Sequence, residues 1–171
     1  YLFNDTMSNR LYITGDFPIY DSSVFTGDFH SVKYLNNGSW DTIAEKGPNP
    51  YGHIWLFYYK NKLYASGNFD SLANSGRRFW AVYNGTTWDS LVGPQPNGPA
   101  SEFVVIDDTL YIGGAFERVG DVPSPALVKF DGQQFHPMDD TIASLNSEIY
   151  VSAIKKYKGR MYVGGNLLNY R

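Results

Sequence analysis

The sequence predicts an all-β fold, a β-propeller fragment of four-stranded antiparallel blades, and three observations carry that expectation. One apolar–aromatic stretch ending in glycine is written four times: Leu11-Tyr12-Ile13-Thr14-Gly15, Leu63-Tyr64-Ala65-Ser66-Gly67, Leu110-Tyr111-Ile112-Gly113-Gly114 and Met161-Tyr162-Val163-Gly164-Gly165. From tyrosine to tyrosine the steps are 52, 47 and 51 residues, a spacing that marks a solenoid, propeller or array. Asn37-Gly38, Asn84-Gly85 and Asp131-Gly132 each fall between two apolar runs, the strongest short-range signal for a hairpin. Aromatic residues make up 17% of the chain, which favours pleated strands, and no window holds the 3.6-residue periodicity of a helical solenoid.

The first unit opens with a strand at Tyr1-Leu2-Phe3 and turns at Met7-Ser8-Asn9-Arg10 into the first tyrosine stretch. After a polar loop from Pro18 to Gly27 come Ser31-Val32-Lys33-Tyr34-Leu35 and Ser39-Trp40-Asp41-Thr42-Ile43, joined at Asn37-Gly38. The second unit repeats these parts: His53 to Tyr59, the Leu63 stretch, Phe79 to Tyr83, and Thr87-Trp88-Asp89-Ser90-Leu91. In the third, Glu102 to Ile106, the Leu110 stretch, Ala126 to Phe130 and Gln134 to Met138 take the same places. The fourth holds Tyr150 to Lys155 and the Met161 stretch alone. Pro/Gly-rich joins separate the units, so the chain reads as a single propeller region, 1–171, with blades at about 1–47, 48–98, 99–140 and, in part, 141–171. A propeller closes with about four to eight blades. The chain, opening on Tyr1 with no initiator Met, is therefore expected to be a piece of a longer polypeptide.

The 171 residues suffice for a real core. A net charge of −3 argues against nucleic-acid binding, which needs a clustered basic face. No apolar run has the length of a membrane-spanning helix, so direct membrane insertion is not expected. Without cysteine there is neither disulfide nor thiolate metal site.

Catalytic signals are weak throughout. His30, His53 and His136 fall at unlike repeat positions, with no metal-ligand spacing. The pairs Asp107-Asp108 and Asp139-Asp140 sit at turns, where aspartate is favoured for bonding its own backbone. Asp16, Asp28 and Asp121 offer oxygen ligands for loop calcium, but no twelve-residue calcium loop surrounds them, and no cofactor is expected. There is no nucleophile elbow, phosphate loop or dinucleotide fingerprint. Trp55, Trp80 and Tyr58 could stack on sugars; the plainer reading is that such rings fill the space between sheets.

The "LY-x-GG-x-F" strand, the aromatic on the third strand and the tryptophan that follows (Tyr34 to Trp40, Tyr83 to Trp88) resemble kelch-type propeller repeats. They are closer still to repeats of large secreted Bacteroidota-type surface proteins. The first unit departs from the pattern with Thr14, and the third carries Phe135 in place of tryptophan. In this reading Tyr12, Tyr64, Tyr111, Tyr162, Gly114, Gly165, Trp40 and Trp88 are the structural core of the repeat.

The resemblance implies an extracellular or cell-surface bacterial protein, exported by type IX secretion and part of a larger envelope assembly. It implies a non-enzymatic binding or display module whose partner is a protein or a glycan. The contact loops would be Pro18–Gly27, Asn68–Arg78 and Glu117–Pro125. The alternatives are a carbohydrate-active hydrolase or lyase with a central-channel site and a structural spacer in an adhesin. Asp–Ser/Thr–aliphatic triplets occur six times where composition alone gives about one. They resemble the O-glycosylation acceptor motif of Bacteroidota envelope proteins, with acceptors Thr6, Thr42, Ser71, Ser90, Thr109 and Thr141. Alternating strands also generate such triplets.

Overall fold

Strands make up all the regular structure described by the computed structural model, which covers residues 1–6, 9–15, 31–45, 53–72, 78–138 and 149–167. Strands β1 (Leu2–Asp5), β2 (Arg10–Gly15), β3 (Ser31–Asn36) and β4 (Ser39–Glu45) form one antiparallel meander in chain order. A second contains β5 (Ile54–Tyr59), β6 (Lys62–Gly67), β7 (Trp80–Tyr83) and β8 (Trp88–Asp89). The third begins with β9 (Ala100–Ile106) and β10 (Thr109–Gly114). A small hairpin follows, β11 (Arg118–Val119) with β12 (Val122–Pro123), before β13 (Leu127–Phe130) and β14 (Phe135–Pro137) complete the sheet. Strands β15 (Tyr150–Tyr157) and β16 (Arg160–Asn166) make a two-stranded sheet. The chain divides into two compact units, Tyr1–Ser90 and Leu91–Arg171, each holding two of the repeats.

In the second, third and fourth sheets the links between first and second strands are two-residue turns with both central residues at positive φ: Lys60-Asn61, Asp107-Asp108 and Lys158-Gly159. That geometry matches the right-handed twist of the strands they join. Asp107-Asp108 is therefore a turn pair, and the Asp107 carboxylate takes Lys156 Nζ at 2.7 and 2.8 Å.

The glycine that ends the second, third and fourth tyrosine stretches is demanded by backbone approach. A Cβ on Gly67, Gly114 or Gly165 would run into the carbonyl oxygen of His53, Pro99 or Tyr150, where the first strand of the same sheet begins. At Gly114 the ladder also slips by one residue, so the glycine sits at a bulge.

One position earlier in the first and third tyrosine stretches, the residue faces the next sheet in its unit. Gly113 lies under the side chains of Val151 and Ile154, with no room for a Cβ. Thr14, the departure in the first unit, is fully buried and its hydroxyl donates to the Ile54 carbonyl of β5 at 2.5 Å. Thus β2 is bolted to the following sheet by a hydrogen bond where β10 lets apolar side chains settle onto it.

In the first unit the core joins Tyr12 and Val32 to Ile54, Leu56, Leu63, Ala65, Ala81 and Trp88. In the second, Tyr111 and Val104 pack on Ala126, Leu127, Val151 and Ile154. The four repeat tyrosines all occupy the second strand of their sheets, opposite Phe3, Phe57, Val104 and Lys155. Their burial differs. Tyr12 and Tyr64 are 3% and 2% exposed, Tyr111 is half-buried, and Tyr162 is 52% exposed. Tyr162 lies on the face of its hairpin turned away from Val151, Ile154 and the third sheet, and no described residue covers it as the following sheets cover Tyr12 and Tyr111.

One sequence expectation needs correcting. Glu117–Pro125 is not plain loop: it contains the β11–β12 hairpin, whose two-residue strands are too short to show alternation. In the first sheet the residue across the ladder from the tryptophan is aliphatic. Leu35 stands opposite Trp40, as Tyr83 does Trp88 and Phe130 does Phe135.

Candidate functional site

Each turn between third and fourth strands is closed by a side-chain pair five residues apart. Asn36 Nδ2 donates to Asp41 Oδ2 at 2.6 Å, and Asn84 Nδ2 to Asp89 Oδ2 at 2.7 Å. In the third sheet the polarity reverses: Asp131 Oδ2 faces His136 Nε2 at 2.7 Å. The amide oxygen of Asn84 accepts from Thr86 N and Thr87 N, and the second carboxylate oxygen of Asp131 accepts from Gln133 N and Gln134 N. Bonds from Gln134 N first, then His136, then Gln133 N, hold the Asp131 carboxyl down at about 2.

That depression has a pH consequence. Because the folded value lies below the ordinary one, the turn gains stability from Asp131 fully above pH 4, and loses it as pH falls towards 2. The pair is about half exposed, so the effect is small. Urea denaturation of wild type and Asp131→Asn from pH 2 to 5 is expected to show a stability difference that shrinks steadily below pH 4.

These turns also account for two of the acidic triplets. Asp41 and Asp89 hold one repeat position and are engaged with asparagine. Among the acceptors, Thr6 and Thr42 are exposed, and Thr42 Oγ1 takes Lys33 Nζ at 2.7 Å. Ser71, Ser90 and Thr109 are half-buried. Thr141 lies outside the described residues, as do Asp16, Asp28, His30, Asp139, Asp140 and Pro18–Gly27. Asp121 is exposed at the β11–β12 turn, and among the described residues no three potential metal ligands gather. Trp80 is fully buried, which removes it as a stacking platform; Trp55 is half-buried beside His53, their rings 5.6 Å apart.

A cleft of about 530 Å³ lies in the first unit. Its walls come from the short-turn ends of two successive sheets: Asp5, Arg10 and Tyr12 on one side, Tyr58, Lys62 and Tyr83 among those on the other. Antiparallel order puts these turns at the opposite end of the second sheet from the link between β6 and β7, where the sequence placed the contact loops. Arg10 stacks over the Tyr34 ring at 4.7 Å, and its hydrogen bond to the Tyr12 side chain raises its pKa further. Desolvation, followed by a hydrogen bond with Asp41, pushes the Tyr34 phenol up. Asn84 and Asp89 reach the cleft while clamped together. Two cations, Arg10 and Lys62, stand against two carboxylates, Asp5 and Asp89, in a cleft lined by tyrosine rings.

The β11–β12 hairpin is the other built feature. Asn97 Oδ1 accepts from Glu117 N and Arg118 N at 2.9 and 3.1 Å, and Pro96 bridges to Val119. Ser124 Oγ donates to the Leu127 carbonyl at 2.8 Å. This loop is thereby stapled to the linker that precedes the third sheet. Among the described residues, no helix is long and apolar enough to cross a membrane.

Fold and site together define an all-β chain of repeated four-stranded antiparallel sheets carrying a charge-balanced, tyrosine-lined cleft between two of them. No protein-family model matches the chain, and no curated protein or solved structure matches it.

Proposed function

We propose that this chain is part of a β-propeller serving as a non-enzymatic binding module of a secreted or surface-attached bacterial protein, and that its ligand is a glycan. The cleft carries this reading. Tyr58 and Tyr83 offer ring surface for the C–H faces of a sugar, while Lys62, Arg10, Asn61 and Asp5 surround it with donors and acceptors. Balanced charge suits a neutral saccharide better than a polyanion. Successive sheets stacked face to face in each unit support the propeller. Exposed Thr6 and Thr42 would be the most accessible O-glycosylation acceptors on such a surface. The hydrolase alternative would use Asp5 and Asp89 as its acid pair, but Asp89 is already held by Asn84.

Screening the purified chain against a glycan array, with titration calorimetry on any glycan retained, tests the reading. Lys62 is exposed, so Lys62→Ala is expected to weaken binding about tenfold, equal to about 1.4 kcal/mol, with an unchanged melting temperature. An array on which the folded chain retains nothing would remove the glycan reading.

A further inference from the structure

Asparagine is followed by glycine three times in the chain, at Asn37-Gly38, Asn84-Gly85 and Asn97-Gly98. Such a pair is prone to cyclise in water, because glycine puts no side chain in the way of its backbone nitrogen as it approaches the asparagine amide carbon. The fold treats the three asparagines differently.

At Asn84 both polar atoms of the side chain are engaged. Oδ1 accepts from Thr86 N and Thr87 N, each at 2.9 Å, and Nδ2 donates to Thr87 Oγ1 at 2.9 Å and Asp89 Oδ2 at 2.7 Å. Asn97 Oδ1 accepts from Glu117 N and Arg118 N, and its own backbone N–H donates to the Arg118 carbonyl. Gly98 beyond it is buried against the Ala115 carbonyl. Cyclisation at either place first has to break these bonds.

Asn37 is held by nothing of the kind. The turn from third to fourth strand has one length in the first three sheets, but in the first its glycine comes one residue later. Asn36 holds the place of Asn84 and Asp131 and does their work, donating to Asp41. Asn37 therefore takes the seat that Gly85 and Gly132 fill, at φ 49° where they stand at 101° and 99°. Its side chain is exposed and has no bonded partner among the described residues. Gly38 is open too: a Cβ there would meet nothing within 4 Å. A hairpin tip of this kind opens locally at little cost.

We propose that Asn37 is a site of spontaneous deamidation and isomerisation, selected from three like dipeptides by its unclamped side chain. Gly38 N loses its proton to hydroxide and bonds to Asn37 Cγ. The Cγ–Nδ2 bond then breaks, ammonia leaves, and a succinimide ring remains. Water opens the ring at either carbonyl. Breaking the new Cγ–N bond gives aspartate; breaking the original backbone C–N bond gives isoaspartate, whose main chain runs on through Cβ and Cγ. Either product adds one negative charge. Isoaspartate also lengthens the backbone of a two-residue turn, which loosens the hold of that turn on the register of β3 and β4.

The test ages the purified chain in mildly alkaline buffer, folded and in urea, and follows each asparagine by peptide mass spectrometry. Trypsin releases residues 34–46 as one peptide, cut after Lys33 and Lys46. Conversion adds about 1 Da, and electron-transfer fragments tell isoaspartate from aspartate. In the folded chain Asn37 is expected to convert at least about tenfold faster than Asn84 or Asn97, and in urea the three rates should fall within about threefold of one another. Asp89→Ala removes one clamp and is expected to speed Asn84 about fivefold, with Asn37 unchanged. If that variant unfolds, the folded and unfolded wild-type rates decide alone. Like rates at all three sites in the folded chain, Asn84 or Asn97 reacting first, or no conversion at Asn37 would overturn the proposal. A preference for Asn37 that persists in urea would overturn it as well, by giving the choice to sequence instead of fold. None of these outcomes bears on the glycan cleft, among whose lining residues Asn37 does not stand.

Discussion

Gly114→Ala is expected to destabilise the chain by about 3 kcal/mol, whereas Gly164→Ala is expected to change stability by less than about 1 kcal/mol. Gly114 ends its tyrosine stretch and Gly164 stands one place before the end of its own, and neither has positive φ, so backbone freedom does not separate them. Space does. A Cβ on Gly114 would collide with the Pro99 carbonyl oxygen and come within 2.5 Å of Ala100 Cα, and neither backbone atom can swing aside. On Gly164 the same atom would meet only the Ala153 methyl at 3.6 Å, an ordinary contact. For a chain of this length 3 kcal/mol corresponds to a fall of roughly 6–12 °C in melting temperature, which differential scanning calorimetry resolves. Equal losses from the two substitutions would mean that close approach to the first strand is not why the glycine is there.

The second large effect is expected at Trp88. It is 2% exposed within the core that joins the first two sheets, and its ring lies 5.2 Å from that of Tyr83. Trp88→Ala removes the ring and leaves a cavity, at a cost of about 3–5 kcal/mol. Trp88→Phe should cost less than half as much. The indole N–H is buried without a hydrogen-bond partner among the described residues, so phenylalanine forfeits no bond while keeping an aromatic face against Tyr83. Phe135 already fills the same place in the third sheet, 4.6 Å from Phe130. Urea denaturation of the two variants gives the ratio directly. A Trp88→Phe loss as large as that of Trp88→Ala would show that the indole's shape, rather than aromatic burial alone, holds this core.

Much of the local architecture was legible because it repeats. The tyrosine stretch is a strand in all four copies, and the Asx-Gly turns lie where hairpins require them. What escaped was whatever depends on register or on distant parts meeting. Tyr34 lies next to Leu35 in sequence, and only the ladder shows which of the two faces Trp40. Hairpin β11–β12 is built from two-residue strands that carry no periodic signal, and it stands because Asn97 holds it from twenty residues away. The cleft was illegible for the same reason. Asp5, Tyr58 and Tyr83 come from three separate strands, and nothing local marks them as neighbours. The hydroxyl of Thr14 looked like a flaw in the pattern and proved to be a bond to the next sheet.

That bond gives the chain a direction. Thr14 suits the strand that follows it, as Gly113 suits Val151, and neither would serve in the other's seat. The units are alike in plan yet keyed to their successors, like bricks cut for one course of a wall. Duplication could have supplied such units, but once keyed in this way they could no longer be dealt in any other sequence.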